Sequence, residues 1–399
     1  MPLRPPAGFI RPGYDPLKVP NAPTIGTATG GNAQASVTFT APSNTGGSAV
    51  SAYYAVSNPG QITGTAASSP VSVTGLTNGT PYTFTVWALN TYGPSPYSAA
   101  SGSVTPAVTP TTPVGIFAGG SASNVELNVI DFVNIATGGM DAVDFGDLTL
   151  SLAFVASTGN TTRSVFAGGD PGTTAISYVT PTTKGNAASF GSLTVVTLGA
   201  GGCASSTRAV FAGEFKGGSL GNTIQYITIA STGNATDFGD LTINVFCVSG
   251  LSSTTRGVFS AGETSNAQLT NVMAYITIAS AGNATDFGDL IVAVRGNGSA
   301  SSSTRGVWAG GTSSNVISYI TIASTGNATD FGDLSAARSG MNNGCSSGTL
   351  GLFGGGTDPS TTNVIEKITI ASTGNAADFG DLTVARQNVT GCSNAHGGL

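Results

Sequence analysis

The sequence predicts an all-β chain in two parts, and three observations support this. Gly supplies 58 of 399 residues, about twice its usual share, and charged residues make up only 8%. Gly costs about 1 kcal/mol per helical position, so this composition favours short strands and tight turns over helices. Residues 23–106 carry short apolar-alternating runs between turn clusters, the pattern of a β-sandwich. Residues 114–399 are self-similar at a fixed period, which marks a repeat architecture.

Residues 1–22 hold Pro2, Pro5, Pro6, Pro12, Pro16 and Pro20, a density that denies helix and favours an extended arm. Phe9, Ile10, Tyr14 and Leu17 are apolar anchors within it, which suits docking on a partner; an undocked terminus is the alternative. The opening residues lack an apolar core and a small-residue cleavage site, so no secretory signal is expected.

In the sandwich region the runs are 36–40, 52–56, 71–73 and 82–86. The segment GLTNGTPYTFTVWALNTYGPSPYS, residues 75–98, places Leu76 before a turn and Tyr82, Phe84, Val86 and Ala88 on one face of the next strand. This resembles the C-terminal half of a fibronectin type III domain. The resemblance implies that the Tyr82 hydroxyl bonds back to nearby backbone. Phe39 stands where that family usually has a Trp. Residues 107–113 complete a Thr/Pro linker, VTPAVTPTTP, which marks the domain boundary.

Two markers define the repeat. DFGDL starts at Asp144, Asp237, Asp286, Asp330 and Asp378, with a degenerate SFGSL at Ser189. An aromatic followed by small residues and Gly starts at Phe117, Phe166, Phe211, Phe259, Trp308 and Phe353. Both give six units, 44–49 residues apart. Each unit reads as four strands, which is one blade of a β-propeller. The double Gly after the second strand, and the Arg after the fourth at Arg295, Arg338 and Arg386, resemble the kelch repeat. The expected architecture is therefore a fibronectin type III-like sandwich at 23–106 and a six-bladed kelch-like propeller at 114–399. The first unit begins at a second strand, so residues 387–395 are expected to supply its missing first strand and leave no open edge. A linear β-solenoid is the alternative.

Little in the sequence points to catalysis. The single histidine, His396, rules out multi-His metal centres and confines any Ser-His-Asp arrangement to the tail. The four cysteines form no CxxC pair and read as buried free thiols. The repeated Asp-Phe-Gly-Asp pair could hold a cation. Recurring in nearly every unit, it reads instead as structural, capping amides or pairing with Arg163, Arg208, Arg256 or Arg305. Asn-X-Thr triplets at Asn234, Asn283 and Asn327 lie in the repeated turn and are not read as glycan acceptors. No cofactor and no enzymatic activity are expected. With 13 Lys and Arg and a net charge of −6, nucleic acid is not an expected partner, and no apolar run is long enough to span a membrane.

The loops between second and third strands vary in length and chemistry, while the opposite turn, STGNATDFGD, barely changes. Variable loops on a rigid scaffold are where binding concentrates. The candidate binding residues are Glu214, Phe215, Lys216, Glu263, Asn266, Gln268 and Asp358. The whole combination resembles tail-fibre and tail-associated proteins of bacteriophages. That implies a non-enzymatic virion protein with partners of two kinds: other virion proteins at the N-terminal arm, and a host-surface glycan or protein at the distal domains. It also implies a homo-oligomer. A bacterial cell-surface or secreted adhesin built from the same modules is the alternative, with a polysaccharide-degrading propeller, using acids such as Asp358, a more distant one.

Overall fold

The computed structural model describes residues 17–31, 33–77, 79–106, 112–357 and 359–398. The chain is all-β and built from antiparallel sheets. It divides into two compact units, Met1–Pro110 and Thr111–Leu399. Most of the Pro-rich arm and of the Thr/Pro linker lies outside the described residues.

The first unit holds two sheets. Thr24–Gly31, Gln34–Thr40 and Val71–Thr74 form one; Thr63–Ala66, Ala52–Asn58, Thr83–Asn90 and Gly93–Pro94 form the other. Strict alternation along Gln34–Thr40 and Thr83–Asn90 puts Val37, Phe39, Phe84, Val86 and Ala88 into one shared cluster with Tyr53, Leu76 and Tyr82. The Tyr82 hydroxyl accepts a hydrogen bond from the Thr77 amide at 3.1 Å. Along the irregular run after Pro94, Ser95, Ser98 and Ser101 accept from the amides of Ala88, Val86 and Phe84, each at 2.9 Å.

The second unit holds six four-stranded sheets, numbered here in chain order. Sheets two to six each run from an inner to an outer strand along the chain. Their inner strands are Ala156–Gly159, Gly201–Ala204, Ser249–Ser252, Gly298–Ser301 and Cys345–Ser346. Sheet one takes its inner strand from the chain's other end: Thr390–Ser393 pairs with Val114–Ala118, Cys392 opposite Ile116. Each inner strand contacts the inner strand before it and the one after it, and Thr390–Ser393 contacts those of sheets six and two.

Inner strands meet closely, so they are made of small residues. A side chain on Gly202 would overlap the Ser157 backbone, and one on Gly250 would overlap Gly202. Serines bridge from strand to strand: Ser252 Oγ donates to the Ala204 carbonyl at 2.9 Å, Ser299 Oγ to Gly250 at 2.7 Å, and Ser301 Oγ to Ser252 at 2.9 Å. Beside them the 3-10 turn His396–Gly398 packs across the strands, with His396 Nε2 2.7 Å from the Gly159 carbonyl.

The apolar core lies between sheets rather than within them. Each repeat aromatic packs into the preceding sheet's core: Phe166 among Ile116, Ile130 and Phe145, and Trp308 among Met273, Phe287 and Leu290. Phe117 of sheet one joins Leu352, Ile365 and Phe379 of sheet six. A sheet covered on both faces needs apolar residues on both, which explains why third strands such as Val316–Thr321 carry apolar side chains on either face.

The outer seam explains DFGD and TGNA together. In every pair of neighbouring sheets, the turn before an outer strand hydrogen-bonds the outer strand of the sheet before it. Six alanine amides, such as Ala235 to Ser192 and Ala142 to Asp381, donate at 2.7–2.8 Å. Beside them Asn186, Asn234, Asn283, Asn327, Asn375 and Asp141 accept, through Oδ1, the amides of Asp147, Ser192, Asp240, Asp289, Asp333 and Asp381 at 3.0–3.1 Å. The DFG glycine must be glycine because the neighbouring turn presses on it: a Cβ on Gly191 would overlap the Gly233 carbonyl, and one on Gly332 would overlap Gly374.

Two expectations about charge need correction. Arg163, Arg208, Arg256 and Arg305 do not pair with the repeated Asp. Each stacks over a tyrosine of its own sheet, 4.2–4.6 Å from the ring centre, and donates to an isoleucine carbonyl of the next sheet, Arg256 to Ile322 at 2.9 Å. Arg295, Arg338 and Arg386 are not equivalent either. Arg338 and Arg386 lie four residues beyond the leucines Leu334 and Leu382, whereas Arg295 lies five beyond Leu290, where Val294 takes the fourth place. Arg386 is fully buried, 3.0 Å from the equally buried Asp131 of sheet one, and Arg338 pairs with buried Glu366 of sheet six. The Thr383 amide and hydroxyl complete the Asp131 carboxylate at 3.0 and 2.5 Å. The four cysteines are buried free thiols, and burial pushes Cys392 up to about 12.

Two variant sets test these contacts. Gly191→Ala should destabilise the second unit by about 1–3 kcal/mol in urea unfolding, whereas Gly233→Ala, whose added methyl meets nothing, should stay within about 0.5 kcal/mol. Arg386→Met should cost about 3–5 kcal/mol by stranding a buried carboxylate, and adding Asp131→Leu should recover most of that loss.

Candidate functional site

The six connections into the inner strands converge at one end of the second unit. Counted from the repeat leucine, the sixth residue of each is Phe154, Gly199, Cys247, Gly296, Gly340 and Asn388, and all six have left-handed backbone, with φ between 54° and 74°. This geometry turns the chain sharply from an outer strand into the next inner one. Neighbouring connections hydrogen-bond there: the Phe154 amide donates to Asn388 at 3.1 Å, Gly199 to Phe154 at 2.8 Å, Val248 to Gly199 at 2.8 Å and Met341 to Gly296 at 3.1 Å. Glycine meets the requirement freely and asparagine, at Asn388, meets it readily; Phe154 and Cys247 hold it at about 1–2 kcal/mol each.

The loops between second and third strands are tied to the same connections. Short antiparallel bridges join Ser121 to Gln387, Ala153 to Asp170, Phe246 to Glu263 and Ser339 to Thr357. The invariant turns and the variable loops thus sit at different places on each sheet: the first on the outer seam, the second around the convergence.

A cavity of about 290 Å3 opens among these connections. Phe154 and Phe246 stand on its wall with ring centres 5.6 Å apart, and Thr312, Ser339, Thr357, Gln387 and Asn388 add neutral polar groups. Arg295 also lines it and forms an ion pair with Glu263; the two side chains are 42% and 22% exposed. Burial pushes the Cys247 thiol well above its ordinary range, so it is a packing group rather than a nucleophile.

Of the residues singled out in the sequence, the structure brings Glu263 and Phe215 to this site. Glu263 holds Arg295, and the Phe215 ring centre lies 5.2 Å from that of Phe246. Glu214 turns into its own hairpin, accepting the Thr223 hydroxyl at 2.8 Å. Asn266 and Gln268 are exposed in a turn closed by the Thr264 amide on the Gln268 carbonyl. Asp358 and the Lys216 side chain lie outside the described residues. Sequence reasoning missed Phe154, Phe246, Arg295, Gln387 and Asn388. Counting each connection from its repeat leucine would have aligned them.

The Asp-Phe-Gly-Asp acids do not gather. The first Asp of each pair is exposed, and among the described residues no group of three or more His, Cys, Asp or Glu is placed to hold a metal ion. Also among the described residues, no helix is long and apolar enough to cross a membrane. In comparison with known proteins, the chain matches no family model and no curated protein.

The half-exposed pair should behave unlike the buried one. Arg295→Ala should change unfolding free energy by under about 1 kcal/mol, and Arg338→Ala should cost about 3–5 kcal/mol, both read from urea denaturation.

Proposed function

We propose that this chain is a non-enzymatic virion protein of a bacteriophage, tail fibre or tail-associated, that helps the particle contact its host. Its first unit is a fibronectin type III-like sandwich. Its second is a closed, six-bladed, kelch-like propeller. The Pro-rich N-terminal arm anchors it to other virion proteins, as a homo-oligomer.

The propeller reading rests on the pairing of Thr390–Ser393 with Val114–Ala118 and on inner strands that touch in cyclic order. The six outer-seam contacts, the last running from sheet six to sheet one, support it independently. The sandwich reading is supported by the Tyr82 hydroxyl bond and by the two sheets sharing one core. The virion assignment rests on the resemblance drawn from composition, arm and module order, a likeness of architecture.

One observation carries the contact role: in four of the six sheets the loops that vary from sheet to sheet are fastened to the connections around one cavity, while the unvarying turns hold the scaffold. A surface assembled this way can change its chemistry without disturbing the fold.

Exchanging residues 214–220 and 263–268 for Gly/Ser loops of equal length should leave the melting temperature nearly unchanged and reduce binding of the purified chain to host cells by about tenfold or more. Unchanged binding would remove the contact role. Mass spectrometry of intact particles should find the chain as a stoichiometric component; its absence from particles and presence on the bacterial surface would replace the virion with a cell-surface adhesin.

A further inference from the structure

We infer that the cavity among the six connections is a subsite for a single neutral sugar unit, a hexose or N-acetylhexosamine within a host-surface polysaccharide. The inference rests on the contact role proposed above and specifies what that face holds.

The wall chemistry selects the ligand class. Phe154 and Phe246 present two half-buried rings inclined at 43° to each other. Ring faces suit the C–H surfaces of a pyranose. Around them the polar groups are neutral donors and acceptors, the hydroxyls of Thr312, Ser339 and Thr357 and the carboxamides of Gln387 and Asn388. Hydroxyls and carboxamides both donate and accept, which matches a sugar's hydroxyls and an acetamido group. Apolar walls with a few convergent polar groups are the usual make-up of a small-molecule site.

Charge argues against the other classes. Arg295 is the one cationic wall residue among those described, and Glu263 already neutralises it. A carboxylate or phosphate would have to displace Glu263, and a cation would meet Arg295. A peptide strand would need an open sheet edge, and this site is walled by turns.

One feature of the surroundings points the same way. Phe154 and Cys247 hold left-handed backbone where three of the other connections use glycine, and such strain persists where a site requires particular side chains.

The test uses the full chain and free monosaccharides: glucose, galactose, N-acetylglucosamine, N-acetylgalactosamine, glucuronate and N-acetylneuraminate. Saturation-transfer NMR and titration calorimetry should show millimolar binding of at least one neutral sugar. Thr312→Trp, which fills the cavity, and Phe246→Ala, which removes a ring, should each weaken it by about tenfold or more, with folding checked by melting. Gly233→Ala, on the outer seam and neutral for folding, should leave it unchanged. Failure of every neutral sugar to bind, binding of the charged sugars alone, or binding untouched by both variants would overturn the subsite. If Thr312→Trp keeps cell binding that the loop exchange abolishes, the contact role stands and the sugar subsite falls.

Discussion

The second unit depends on one contact made six times: the turn of one sheet lying on the outer strand of the sheet before it. A glycine leaves room, an alanine amide and an Asn or Asp oxygen supply the hydrogen bonds, and the neighbouring aromatic fills the space inside. No sheet here has a core of its own. Each borrows Phe or Trp from its neighbour, so a sheet removed from the set would expose an apolar face. A four-stranded sheet in that condition is not stable by itself.

The contact between the last sheet and the first carries the heaviest reinforcement. There the turn glycine is replaced, since Met140 and Asp141 stand where other sheets have Gly and Asn. The same junction gains the buried Arg386–Asp131 pair and the Phe117 core, and Lys367 donates to the Gly138 carbonyl. A buried ion pair is poor as a source of net stability and good at fixing a register, because a shifted alignment strands its charges. The proposed closure of the ring therefore falls at a junction whose register a buried ion pair holds.

Much of this was legible from the sequence because the conserved strings are themselves the contacts. DFGDL and the aromatic-Gly marker gave six units, since every seam needs the same glycine and the same ring. Asp131, Ser177, Gln225, Ala274, Ser318 and Glu366 share one place opposite those aromatics. They have no common chemistry, so the acid-arginine matches at two junctions appear only once register is known. Arg295 misled for a related reason: one residue of offset moves a side chain from a core junction to the cavity wall. The cavity itself draws on residues from Phe154 to Asn388, a juxtaposition that no local pattern encodes. The variable loops were visible as variable, yet only Phe215 and Glu263 among the residues chosen reach the site.

The dependence of each sheet on its neighbours is most directly read by amide hydrogen exchange on the chain before and after removal of residues 390–399. Intact, Val114–Ala118 should be as protected as Arg305–Ala309; without the final strand, protection should fall across all six sheets together. Rapid exchange of Val114–Ala118 in the intact chain, or a loss confined to that strand after truncation, would contradict the account.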